Sequence, residues 1–181
     1  MGASRMLLRF SLVVLAAGAL AFGQGRIGRP APEEKIKAIN ITTMSTGAGL
    51  PEGKGTAAGG KSVYKEKCET CHNEKLEGRT GQYPALVGGK GSLNTSKPVR
   101  TVGSYWPYAT TVFDYIRRSM PYDQPGSLSN DETYALVALI LNANGIIGEN
   151  DEMNKDSLPK VKMPNAGNFV PDARPDVKAK R

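Results

Sequence analysis

The sequence predicts an all-α domain set between two extended arms. Three observations carry this. Helical periodicity with recognisable ends occurs in three places between residues 61 and 145. No run alternates apolar and polar residues for long enough to build a sheet. Gly and Pro, 21 and 12 of 181 residues, crowd the stretches between and outside the helices. At roughly 100–200 residues per domain, the length allows one domain plus tails.

Residues 1–23 read as a secretory leader. Arg5 and Arg9 give a positive start, and Phe10 to Phe22 is an uncharged run of 13 residues. Small residues stand at Ala21 and Gly23, where a signal peptidase reads. The run is shorter than the roughly 20 residues that span a bilayer, so no stable membrane span is expected once the leader is removed. An uncleaved anchor is the other reading. Loss of Arg5 and Arg9 takes the formal net charge from +7 to +5.

Residues 24–60 read as an N-terminal arm. Arg29-Pro30-Ala31-Pro32 is stiff and extended, and Glu33 to Ile41 fits either a helical turn or a strand. Six glycines then fall between Thr42 and Gly60, so this arm is expected to be ordered only where it lies on something.

The domain proper is placed at 61–147. Its first helix is expected from Lys61 to His72, capped by Ser62, with Tyr64, Cys68 and Cys71 along one face. A Gly-rich loop holding Tyr83-Pro84-Ala85-Leu86 follows, and then an irregular stretch. Pro107 is suited to a first helical turn, where its missing N–H costs nothing. The second helix is expected to run to about Arg118 with Val112, Tyr115 and Ile116 inward, ending at Met120-Pro121. The third has the fullest signals: Ser129 and Glu132 at capping-box spacing, an apolar run from Tyr134 to Leu141, and Gly145 beyond the end. Residues 148–181, charged and poor in large apolar side chains, read as a C-terminal arm.

Composition narrows the chemistry. One histidine and two cysteines exclude a tetrahedral zinc site built only of Cys and His, and a disulfide framework. Basic residues are not gathered into a stripe, so nucleic acid is not an expected partner.

The two cysteines and the histidine fall together as Cys68-Glu69-Thr70-Cys71-His72. C-x-x-C-H is the spacing of covalent c-type haem attachment. Two thiols one helical turn apart reach the two vinyl groups of one porphyrin edge, and the adjacent histidine is placed to ligate the iron. One such motif implies one covalent haem c. A thioredoxin-like dithiol would need a preceding strand, which is not visible here. A metal site completed by another chain and a chance match are the remaining alternatives.

With no second histidine, the sixth iron position falls to a methionine, an open site or an exogenous ligand. Met44, Met120, Met153 and Met163 lie outside the leader. Met120 is favoured, because it sits in a loop between two expected helices, 48 residues after His72, and is followed by a proline. Met163 also precedes a proline but lies beyond the last helix. For each of these methionines, filling the core is the alternative role.

The order helix, CxxCH, proline loop, helix, Met loop and capped helix resembles a small class I cytochrome c fold, over about residues 61–145. The resemblance implies that the Pro84 carbonyl accepts the hydrogen of the histidine Nδ1, and that Leu86 packs on the haem face. Three further segments, 47–56, 104–111 and 158–165, are similar to the haem subunits that accompany periplasmic molybdenum sulfite dehydrogenases and the related sulfane dehydrogenase. Tyr105 and Trp106 are then candidates to hydrogen-bond a haem propionate, with core packing as the alternative. Arg100 is a candidate to neutralise one, with a solvated role as the alternative. Lys75, Arg79, Lys90, Arg117 and Arg118 fit either a basic rim for an acidic partner or an ordinary solvated surface.

The resemblance implies a periplasmic electron-transfer subunit, not itself catalytic on substrate. It would take single electrons from a molybdopterin oxidoreductase subunit that oxidises sulfite or a sulfane, and pass them to a downstream cytochrome or oxidase. A free-standing cytochrome shuttle and an open-site haem sensor or peroxidase are the rivals.

Overall fold

The computed structural model describes residues 28–170. The expected leader and the last eleven residues lie outside the described residues. The chain divides into two compact units, one up to Asn40 and one from Ile41 onward.

In the first unit Glu33–Ile39 forms helix α1, which decides between the two expectations for this stretch. Pro32 precedes it and its carbonyl takes the N–H groups of Lys35 and Ile36. Glu33 and Glu34 in the first turn and Lys37 in the last suit the helix dipole. None of its residues is buried.

Among its described residues the second unit holds four helices, a 3₁₀ turn and one small two-stranded ribbon, joined by long loops. Strand β1 (Lys54–Gly55) leads into α2 (Ala57–Lys67) and the short α3 (Glu69–His72). After a long loop come α4 (Ala109–Ser119) and α5 (Asn130–Ala143). Strand β2 (Met153–Asn154) and a 3₁₀ turn at Leu158–Lys160 follow. β1 and β2 pair antiparallel, Lys54 opposite Asn154 and Gly55 opposite Met153.

The expected first helix is corrected at both ends. It begins four residues earlier, where Thr56 accepts the Gly59 N–H (3.3 Å), and Ser62 lies inside it. It breaks at Cys68, which ends α2 and opens α3. The glycine pair at 59–60 is the reason the start was hidden, since glycine inside a helix costs about 1 kcal/mol relative to Ala. Here packing overrides propensity. α2 crosses α5 so closely that a Cβ on Gly60 would lie 2.3 Å from the Ala135 carbonyl oxygen.

α5 is buried along Thr133 to Leu141 and forms the spine of the core. Its ends match the sequence signals. Ser129 accepts the Glu132 N–H, Glu132 accepts the Ser129 N–H, and beyond Asn144 the Gly145 N–H returns to Asn142. Lys67 at the end of α2 pairs with Glu132 at 2.7 Å, so the capping box also anchors the helix before the cysteines.

α4 starts at Ala109, two residues after the expected proline, and buries Ala109, Val112, Phe113 and Ile116. Those positions form one helical stripe. Tyr115 falls beside it and is 46% exposed, not inward as the sequence suggested.

The arm segments in this unit lie on the chain's own helices. Thr43 N–H donates to Asp114 (2.7 Å), Thr110 to the Ser45 carbonyl (3.0 Å) and Tyr134 to the Pro51 carbonyl (2.9 Å). From the other end, Met153, Leu158 and Met163 enter the core.

Candidate haem site

The site begins at the α2–α3 junction. The Cys68 carbonyl accepts both the Cys71 N–H (3.1 Å) and the His72 N–H (2.9 Å), which turns the backbone so tightly that the two thiols sit one turn apart. Both are free and only partly buried. Burial pushes the Cys68 thiol up to about 11. The motif follows a helix and not a strand, so the dithiol reading lacks its structural context.

The loop after His72 folds back beneath it. Gly78 N–H returns to the His72 carbonyl (2.9 Å), Asn73 Nδ2 donates to the Gly78 carbonyl (2.7 Å), and the Leu86 N–H donates to the Leu76 carbonyl (2.8 Å). From α2, the Tyr64 hydroxyl donates to the Asn73 carbonyl (2.7 Å). Burial holds that phenol above its ordinary range, so it stays a neutral donor.

This loop brings the Pro84 carbonyl 3.0 Å from Nδ1 of His72. A carbonyl only accepts, so the proton lies on Nδ1 and the lone pair of Nε2 is left for a metal. Gly78 makes the approach possible. Its φ is +68°, and a Cβ there would fall 2.5 Å from the Pro84 carbonyl carbon and 2.6 Å from its oxygen. Sequence reasoning did not single out Asn73, and it placed Tyr64 only on the cysteine face of the helix and Gly78 only in a Gly-rich loop. A glycine shortly before the proline was the only available signal.

The four methionines are placed differently. Met153 and Met163 are each 4% exposed in the core, and Met44 is 56% exposed. Met120 is half-buried against the core, at the end of α4, with its N–H bonded to the Ile116 carbonyl (3.0 Å). Leu86, Val87, Trp106 and Cys68 are likewise half-buried apolar groups packed on the core. A serine–threonine network holds the stretch before Trp106: Thr101 donates to the Gly88 carbonyl (2.6 Å) and Ser104 to the Val99 carbonyl (2.7 Å).

The remaining candidates are more exposed. Arg100 lies over the Tyr105 ring at 5.6 Å, and Tyr105 meets Phe169 edge-on while its carbonyl takes Asn165 Nδ2 (2.7 Å). Trp106 meets Tyr115 edge-on at 5.7 Å. Of the expected basic rim, Arg117 donates to the Ile41 carbonyl (3.3 Å) and Arg118 pairs with Asp114 (2.8 Å), so both are engaged within the chain. Arg79 spans Tyr83 and the Thr70 carbonyl, while Lys75 and Lys90 stay exposed.

Two thiols on one backbone turn and an imidazole with Nε2 free suit a c-type haem. The half-buried apolar groups are the kind of surface a porphyrin covers. Comparison with known proteins agrees. The family described as cytochrome C oxidase, cbb3-type, subunit III matches residues 55–140. The crystal structure of the sulfane dehydrogenase SoxCD from Paracoccus pantotrophus matches with TM-score 0.76 and 39% identity, over 84% of this chain and 75% of that one. The chain belongs to the class I c-type cytochromes. A covalently bound haem c and an electron-transfer role go with that family. The cytochrome is also similar to a thiosulfate dehydrogenase of Psychrobacter arcticus, 32% identical over 84 residues. That stretch is 44% of this chain but only 23% of the relative. Among the described residues no helix is long and apolar enough to cross a membrane.

Proposed function

We propose that this cytochrome is the electron-accepting subunit of a periplasmic molybdenum enzyme that oxidises sulfite or a sulfane, and that it passes the electrons to a downstream cytochrome or oxidase. The observation that carries this is the 39% identity to the sulfane dehydrogenase, which extends over 84% of the chain and so well beyond the haem motif. Export fits the leader-like residues 1–23 and the assembly of haem c outside the cytoplasm.

When bound, haem c supplies reversible one-electron transfer at its iron. The chain supplies the rest. Cys68 and Cys71 would hold one haem through two thioether bonds. His72 would bind iron through Nε2, and the Pro84 carbonyl, by keeping the proton on Nδ1, makes that imidazole a stronger donor. Met120 would complete the coordination, and a thioether ligand raises the reduction potential. Leu86, Val87 and Trp106 would exclude water, with Tyr105 and Arg100 nearer the solvent side.

Two measurements test this. The exported protein should keep its haem through acid–acetone extraction and denaturing electrophoresis, and Cys68→Ala with Cys71→Ala should abolish that. The ferric cytochrome should be reduced on mixing with its molybdenum subunit and sulfite or a sulfane donor, and should co-purify with it. Haem lost to acid–acetone defeats the attachment, and failure of both reduction and co-purification defeats the partner.

A further inference from the structure

We propose that Asp114 is a positioning residue for Met120: it ties the strap of residues 41–45 to α4, the helix that Met120 directly follows. The inference rests on the reading of Met120 as iron ligand.

Three positions on one face of α4, each a turn or two apart, grip the strap. Thr110 donates to the Ser45 carbonyl (3.0 Å), Asp114 accepts the Thr43 N–H (2.7 Å), and Arg117 donates to the Ile41 carbonyl (3.3 Å). The other Asp114 oxygen takes Arg118 Nε and Nη2 at 3.0 and 2.8 Å. Asp114 is 9% exposed and Thr43 is 4% exposed, so the tie between them is shielded from water. Among the described residues the Thr43 hydroxyl finds no partner, which leaves the backbone N–H as the polar contact this buried residue makes with the helix.

The adjacent face of α4, through Ala109, Phe113 and Ile116, is packed into the core. The helix is thus held on two sides. Met120 follows directly, with its N–H bonded to the Ile116 carbonyl. Past that bond its backbone is extended and the exposed turn 122–127 begins. The placement of the thioether therefore depends on how firmly the last turn of α4 is held. A hydrogen bond to a charged acceptor is among the stronger ties available, and a shielded one is not screened by salt.

Loosening the strap should let the thioether leave the iron more often without removing it. The holoprotein is compared with Asp114→Ala, with the milder isosteric Thr110→Val, and with Met163→Ala as a core substitution that removes none of the strap's hydrogen bonds. The readouts are the weak far-red band that thioether ligation gives ferric haem c, and the rate at which added imidazole replaces the sixth ligand. Asp114→Ala should weaken the band and speed imidazole entry by about tenfold. Thr110→Val should shift both in the same direction by less, and it carries the test if Asp114→Ala does not fold. Met163→Ala should lower the melting temperature and leave imidazole entry unchanged. Unchanged band and entry rate in the strap variants, while Met120→Ala erases the band, overturns this inference alone. A wild-type protein without the band overturns both it and the assignment of Met120. Equal effects from Met163→Ala and Asp114→Ala make the strap a general stabiliser and also overturn it.

Discussion

Met120 and Met163 are each followed by a proline, yet the fold treats them differently. Met163 is sealed in the core, while Met120 is half-buried at a helix end. Met163→Ala should cost about 2–5 kcal/mol as a buried truncation and leave the far-red ferric band in place. Met120→Ala should cost less stability, erase that band, admit carbon monoxide to the ferrous form and lower the reduction potential. Thermal unfolding and redox titration of the two holoproteins separate these roles. At this scale the sequence was most informative for the cysteine–histidine motif, because covalent attachment demands fixed residue types at fixed spacing. It said less about Tyr64, Asn73 and Gly78, whose work is done by backbone contacts that no residue type announces. It misassigned Tyr115, since Phe113 and Tyr115 both suit an apolar stripe until packing chooses one.

Between elements, the clearest coupling is Lys67 to Glu132, which joins the end of α2 to the capping box of α5. Hydrogen bonding to Lys67 holds the Glu132 carboxyl below its ordinary range, and hydrogen bonding to Glu132 holds Lys67 above its own. The lowered carboxyl contributes stability above its unfolded value, lost as pH falls through the folded one. The raised ammonium contributes below its unfolded value, lost as pH rises past the folded one. Stability from this pair therefore persists across the neutral range and declines at both extremes. Glu132→Gln should cost about 1 kcal/mol near neutrality, with the difference from wild type shrinking in acid as Glu132 takes its proton; chemical denaturation at a series of pH values measures it. The ends of α5 were legible because capping residues act locally. The start of α2 was not, because Gly59 and Gly60 signal a loop unless Ala135 is known to lie across them.

For the whole molecule, the arms decide how much of the chain is one folded body. Met153, Leu158 and Met163 are each no more than 4% exposed, so the C-terminal segment supplies core as well as cover. Deleting residues 150–181 should remove about 5 kcal/mol or more of apolar burial, a large part of the stability of a domain this size. The truncated holoprotein should show a sharply lower melting temperature, read by circular dichroism, with the haem still covalently held. An unchanged melting temperature would mean that the segment adds nothing to the core. The sequence showed few large apolar residues here; Met153, Leu158 and Met163 are buried, while Phe169 and Val170 stay exposed.

The ribbon joining residues 54–55 to 153–154 also says something about time. Its strands lie about a hundred residues apart along the chain, and closing a loop of that length costs about 4 kcal/mol of entropy beyond a constant term. Two residues on each side cannot offset that by themselves. The ribbon's closure depends on α2 and α5 packing together and bringing its ends near one another, so its amides should exchange faster than those of α5 in native-state hydrogen exchange. Cysteines 68 and 71 lie inside the loop that it closes. Its closure ties the chain on either side of the haem motif into one loop.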